Sequence, residues 1–304
     1  MLGQIVAKML PIVPKGIVRQ VASRYVAGED LASAMRTVRG LNARGVFATV
    51  DILGEDAADE AHADATVAGY LAVLDAIRDE GLKSNVSVKL THLGMRLDRD
   101  RAAARLARLV EAAAGRDGFV RIDMEDSSLT AATLDLHAAM RDRFGGRHVG
   151  TVLQAYLRRT REDTARMAAI GADLRLCKGI YREPRDIAFH GREEIRKSYL
   201  DCAEAMVRSD SAYVGFATHD RVLIRRLVEM VEAAGIARDR FEFQALLGVP
   251  IDDVLDDLVA KGYKVRIYVP FGEEWYPYST RRLKENPKLA TYILKQMFRR
   301  RRKD

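Results

Sequence analysis

The stretch NVSVKLTHLGMRLDRDRAAARLARLVEAAAGRDGFVRIDMED, residues 85–126, holds one repeat of the architecture. NVSVKLTHLG (85–94) is a short β-rich run, and GFVRIDMED (118–126) is another. Between them DRAAARLARLVEAAA repeats apolar residues every three or four positions, as a helix does when one face lies on a sheet. Strand, helix, strand is the α/β signature.

The same alternation extends in both directions. Upstream lies GVFATVDILGE (45–55); downstream lie HVGTVLQAY (148–156), ADLRLCKGIY (172–181), AYVGFATHD (212–220), RFEFQALLG (240–248) and YKVRIYVP (263–270). That makes eight strands, each followed by a helical pattern such as RVLIRRLVEMVEAAG. Eight strand-then-helix units in 304 residues fit a (β/α)8 barrel in number and order. A doubly wound sheet would normally carry G-x-G-x-x-G in its first turn; the nearest glycine cluster, GGRHVG, has the wrong spacing and precedes a strand. No linker or low-complexity boundary divides the chain. Residues 1–304 therefore read as one domain, with residues 1–43 as helices packed on the barrel.

Composition is that of a globular protein able to bury a sizeable core: 48% hydrophobic and 31% charged. The net charge of +7 resembles a nucleic-acid signal until it is located. Arg299, Arg300, Arg301, Arg302 and Lys303 supply five positives against the single carboxylate of Asp304, which leaves +3 for the rest. A solvated terminal tail explains such a run better than a nucleic-acid groove, which spreads its cations over a folded face. Contact with anionic lipid stays open. Cys177 and Cys202, the two cysteines, lack metal spacing and read as reduced thiols of a cytosolic protein. The opening MLGQIVAKMLPIVPKGIVRQ is apolar, but Lys8, Pro11 and Pro14 interrupt it, and it reads as an amphipathic helical segment rather than an export signal. No stretch reaches the roughly 18 uncharged apolar residues of a membrane span. The expected location is cytoplasmic, with any membrane contact peripheral, at the inner face.

Active sites of such barrels lie at the C-terminal rim, so the polar residues that close each strand are the candidates. They are Asp51 and Glu55, Lys89 and His92, Asp123 and Glu125, Gln154, Arg175 and Lys178, Thr218 and His219, Glu242 and Gln244, and Tyr268. Each alone could merely pair with a neighbour across the barrel. After the last strand, EWYPYSTRRLKENP (274–287) places Pro277 at a first helical position and Tyr278, Arg281, Arg282 and Glu285 on one face. Two cations near a helix N-terminus call for an anion. The histidines are isolated and the rim is rich in Lys and Arg, so a metal centre is not expected. Lys89 or Lys178 could instead form a Schiff base, as in barrel aldolases. The cations also fit a ligand with several negative groups, a phosphate-bearing cofactor beside a small acid.

Seven pieces, in order, resemble the flavin-dependent proline dehydrogenases of the monofunctional bacterial type: VSVKLTHLG, RIDMED, LQAYLRRT, LRLCKGIY, FATHD, FEFQALLG and the EWYPYSTRRLKENP stretch. The resemblance begins at YVAGEDLASAMRTVRGLNARG and leaves out only the first residues and the basic tail. It implies a distorted (β/α)8 barrel holding FAD. The implied reaction is oxidation of L-proline to Δ1-pyrroline-5-carboxylate, the first step of proline catabolism, with hydride passing from proline C5 to flavin N5 and electrons to a membrane quinone. By the same resemblance Arg281, Arg282 and Lys89 hold the substrate carboxylate, and Tyr268 closes over the ring and selects proline over hydroxyproline. Tyr278 lies on the substrate side of the last helix. Asp123 and Arg175 are the catalytic pair beside flavin and substrate. Cofactor contacts fall on Met124, Gln154, Arg175, Lys178, Gly179, Ile180, Thr218, His219, Gln244 and Glu285, and Glu55 is a gate residue that pairs with Arg281. Cys177 and Ile180 are conservative departures from the strand-five motif.

Overall fold

The computed structural model describes Arg19 and residues 22–285, with side chains through Thr280. Eight parallel strands close into a barrel in sequence order: β1 (Phe47–Ile52), β2 (Ser84–Val88), β3 (Val120–Ile122), β4 (Val149–Gln154), β5 (Asp173–Cys177), β6 (Tyr213–Ala217), β7 (Phe241–Leu246) and β8 (Val265–Phe271). Closure is made by β1 on β8, with Phe47 opposite Arg266 and Ile52 opposite Phe271. All eight expected strands are present. Their ends differ mainly where a polar run continues past the hydrogen-bonded ladder: the second strand stops at Val88, so Lys89 to Gly94 form the turn above it.

Helix α1 (Leu31–Ala43) precedes β1 and packs Ala34, Met35, Val38 and Leu41 against β8 and β1. Of the helices expected over residues 1–43, the segment before Arg19 lies outside the described residues. Helices α2 (Glu60–Asp79), α3 (Arg99–Ala114), α4 (Thr130–Phe144), α5 (Thr160–Ala169), α6 (Arg192–Val207), α7 (Arg221–Ala233) and α8 (Asp252–Ala260) alternate with the strands, and α9 (Trp275–Glu285) follows β8. Several begin on an aspartate whose carboxylate accepts first-turn N–H groups, as Asp98 does from Asp100 and Arg101 at 2.9 and 3.0 Å. Such a cap sets the start of each helix just beyond a rim loop. On α3 the spacing read from sequence becomes a buried stripe of Ala102, Leu106, Leu109, Val110 and Ala113. Pro277 is the third residue of α9 rather than the first. The ring is tolerated there because first-turn N–H groups have no partner within the helix.

The strands bury two chemically different faces. Outward, Val50, Val88, Ile122, Leu174, Phe216, Phe243 and Val269 meet the helices and form the main core, with each such side chain worth about 1.5–3 kcal/mol. Inward, most of the alternate residues are polar. Barrel interiors are usually filled by Val, Ile and Leu, yet here Arg175 of β5 reaches Ser87 of β2 at 3.1 Å, and Tyr268 of β8 reaches Asp123 beyond β3 at 2.8 Å. Contacts between strands so far apart in the ring must cross the lumen.

Candidate active site

The polar lumen has two storeys. At the N-terminal end, Arg121 donates to the Thr151 and Asp173 carbonyls at 3.0 and 2.7 Å and to the Asp173 carboxylate at 2.5 Å. Arg266 donates to the Ala48 carbonyl and to Glu242, each at 2.6 Å, and Lys264 stands 3.2 Å from Glu242. A cavity of about 300 Å³ opens below these groups, at the mouth opposite the loops that follow the strands.

The upper storey carries the sequence-derived site. Asp123, just past β3, accepts from the Ser87 hydroxyl and from Arg175 Nη1 at 2.6 Å each on one oxygen, and from the Tyr268 hydroxyl at 2.8 Å on the other. The Arg175 guanidinium lies 5.1 Å from the centre of the Tyr268 ring, within cation–π range. Its Nε donates to Gln244 at 2.7 Å. Beside this group Lys89 pairs with the buried Asp51 at 2.8 Å, and Tyr70 donates to the Ser87 carbonyl at 2.7 Å. Burial drives the Lys89 ammonium toward the neutral form, but Asp51 and Asp123 outweigh it and raise the group above the ordinary lysine range. Lys89 is thus held charged, which disfavours the Schiff-base role that sequence alone left open, since that needs a neutral amine.

Farther round the rim the remaining candidates form smaller sets. Gln154 donates to the Met124 carbonyl at 3.2 Å, and its own Oε1 is buried with no hydrogen-bond partner. Lys178 and Arg196 converge on Asp220 at 2.6 and 2.8 Å, so two cations face one carboxylate. Side-chain bonds from both hold the Asp220 carboxyl below its usual range against the opposing effect of burial. His219 accepts the Leu246 N–H at Nε2 (3.0 Å), and Thr218 accepts the Asp220 N–H at 3.2 Å. Gly179 has φ 102°, and a Cβ there would stand 2.1 Å from the Tyr156 ring, so only glycine lets the chain pass. Ile180 is 44% exposed, while Tyr278 is buried on α9. The side chains of Arg281, Arg282 and Glu285 lie outside the described residues, and with them the expected carboxylate grip and the partner of the gate. Glu55 is half-buried, near enough to Lys89 and Glu125 for its charge to act on both.

Several participants carried no specific role in the sequence reading. Ser87 and Tyr70 occupy ordinary strand and helix positions, and no local signal marks them. Asp220 looks like a helix cap, which it also is, bonding the Val222 N–H at 3.1 Å. Glu125, recognised as a strand-end acid, accepts the Thr91 N–H at 3.0 Å and the Thr91 hydroxyl. Thr91 in turn bonds the Asp56 and Ala57 N–H groups at 3.1 and 3.0 Å. The loop bearing Glu55 is therefore tied through Thr91 to the end of β3.

Among the described residues no cluster of three His, Cys, Asp or Glu is placed to hold a metal, and no helix is long and apolar enough to cross a membrane. The residues do fit a flavin nucleotide. Gln154 leaves a buried acceptor that a ring N–H would satisfy, and Lys178, partly exposed beside Asp220, presents a cation at the rim for a phosphate.

Residues 34–293 match the family model described as proline dehydrogenase. The chain is 34% identical over 279 residues to proline dehydrogenase of Deinococcus radiodurans, covering 91% of this chain and 89% of the relative. It is 35% identical over 279 residues to proline dehydrogenase 2 of Bacillus subtilis, covering 92% and 91%. A crystal structure of proline utilization A from Bdellovibrio bacteriovorus, inactivated by N-propargylglycine, superposes with a TM-score of 0.82 at 24% identity, over 88% of this chain and 33% of that one, and supports the barrel fold. Fold and relatives agree, and the chain belongs to the proline dehydrogenase family.

Proposed function

We propose that this enzyme of proline oxidation uses FAD to convert L-proline to Δ1-pyrroline-5-carboxylate and passes the electrons to a quinone. The observation that carries this reading is the set of Asp123, Arg175, Tyr268 and Ser87 bonded to one another at the rim, with the Lys89–Asp51 pair beside it. Its charges bond mainly to other side chains, so a small zwitterion can exchange into it. Lys89, kept protonated, offers its charge to the substrate carboxylate beside Arg281 and Arg282. The Tyr268 ring covers the pyrrolidine and favours proline over hydroxyproline, and Tyr278 lines the same side. Asp123 and Arg175 brace each other at the reacting carbon, so that positioning supplies much of the rate.

Met124, Gln154, Lys178, Gly179, Ile180, Thr218, His219, Gln244 and Glu285 would hold the cofactor, and Arg175 would place its cation against the ring. Bound there, FAD supplies the hydride acceptor for the proline C5 hydrogen. Glu55 serves as a gate over the filled site, pairing with Arg281. A cytoplasmic enzyme with peripheral contact at the inner face of the membrane fits delivery of electrons to a quinone.

The deciding experiment is anaerobic addition of L-proline to the purified protein. A yellow protein that bleaches supports the reading; a colourless one that borohydride traps with a keto substrate overturns it. Arg281→Met and Arg282→Met should each raise KM for proline by roughly ten- to a hundredfold, since a charge-assisted bond to a carboxylate is worth about 1.5–3 kcal/mol. Unchanged KM in both would refute the grip assigned to α9.

A further inference from the structure

Gln244 joins the two storeys of the lumen. Gln244 accepts from Arg175 Nε at 2.7 Å through Oε1 and donates through Nε2 to Glu242 at 2.6 Å. A guanidinium can only donate and a carboxylate can only accept, so the amide has one orientation that satisfies both neighbours. Gly215 on β6 makes the room: a Cβ there would stand 2.2 Å from Gln244 Nε2. We propose that Glu242 is a positioning residue for the reaction, which fixes the Gln244 amide and thereby holds Arg175 in place from below.

Glu242 is suited to this. It is 1% exposed and held between Arg266 and Lys264. Burial pushes its carboxyl up, but the two cations outweigh burial and bring it down to about 2, so it remains an acceptor at any working pH. With a carboxamide at 242, which can donate as well as accept, or with the carboxylate withdrawn, nothing fixes the Gln244 amide, and it could turn its NH2 toward Arg175 Nε, donor against donor. The guanidinium would then keep only its Nη1 bonds to Asp123 and Ser87 and could pivot about them. The consequence for catalysis rests on the proposed reading of Arg175 as the cation beside the flavin.

The test uses the flavin-loaded enzyme. In Glu242→Gln, kcat should fall at least tenfold with KM for proline within about twofold. The flavin midpoint potential should move negative, by about 30 mV for a tenfold weaker hold on the two-electron-reduced ring. Gln244→Met, which leaves Glu242 with both its cations, should show losses at least as large, and adding Glu242→Gln to it should cost nothing more, because the two act in series. Additive losses, or a wild-type potential and kcat in Glu242→Gln, would overturn the inference. Should Glu242→Gln fail to accumulate folded, Glu242→Asp keeps the charge while withdrawing the acceptor and carries the same two outcomes. The crystal structure of Gln244→Met adds a readout independent of turnover: Arg175 displaced supports the inference and Arg175 unmoved counts against it. A wild-type flavin that proline does not bleach would sink the functional reading alone, since the displacement would still be seen.

Discussion

The lower and upper storeys of the lumen contain the same kinds of group, buried arginines and lysines against buried carboxylates, and use them differently. Below, Arg121 and Arg266 each spend a donor on strand carbonyls, those of Thr151, Asp173 and Ala48. Such bonds are as fixed as the ladder itself. Above, Arg175 bonds to Gln244, Ser87 and Asp123, and Lys89 to Asp51, all through side chains. The lower cluster is therefore part of the scaffold, whereas the upper one has partners that a ligand can replace. Burial alone does not separate them, because each combines buried arginines with half-buried partners, Asp173 and Lys264 below, Asp123 and Lys89 above.

The contrast is most sharply tested by removing one cation from each storey. Arg266→Met leaves Glu242 buried with only Lys264, and losing one side of a buried pair costs about 3–5 kcal/mol. Urea unfolding should show that loss while the folded fraction keeps its KM for proline. Lys89→Met also leaves a buried carboxylate, Asp51, without its cation and should cost stability as well, but unlike Arg266→Met it should raise KM by roughly ten- to a hundredfold for about 1.5–3 kcal/mol of lost carboxylate binding. A KM change in Arg266→Met matching that of Lys89→Met would erase the distinction between scaffold and site.

Acid offers a second comparison, because each storey has a buried histidine near one of its cations. Burial, with Arg121 and Arg141, pushes His137 down to about 4, and burial, with Lys89 and His62, does the same to His92. Both rings fold neutral. Their contribution is complete above the ordinary histidine value of about 6.5 and is lost as pH falls from there to about 4, at about 1.4 kcal/mol per unit for each ring. At pH 5 each should have cost about 2 kcal/mol. Urea midpoints at pH 7 and pH 5 test this, and His137→Leu should remove about half of the difference; an unchanged difference would mean that His137 is not charged on unfolding.

The scaffold was largely legible in the sequence, and the site half so. Periodicity gave all eight strands. The rim residues Lys89, Asp123, Arg175, Gln244 and Tyr268 were visible because a charge or amide closing an apolar run is conspicuous. Their pairing was not. Lys89 meets Asp51 across 38 residues and Arg175 meets Ser87 across 88, separations that no local pattern encodes. Glu242 looked like one more rim acid, yet the register places it below Gln244, in the lower storey. Pro277 was misplaced by two positions because any residue of a first turn can lack its N–H.

The smallest expected effect isolates a single atom of the upper storey. Tyr268→Phe removes the hydroxyl that donates to Asp123 but keeps the ring beside Arg175. Asp123 retains its bonds from Ser87 and Arg175, so no charge is stranded, and the loss should lie at the low end of that for a bond to a charged group, about 1.5 kcal/mol. Turnover per KM for proline should accordingly fall about tenfold, with urea stability changed by less than in Arg266→Met. Tyr268→Ser removes the ring as well and should narrow the preference for proline over hydroxyproline, which the phenylalanine variant should preserve. If both variants lose that preference equally, the hydroxyl and not the ring is the discriminator, and the upper storey selects its substrate by hydrogen bonding rather than by shape.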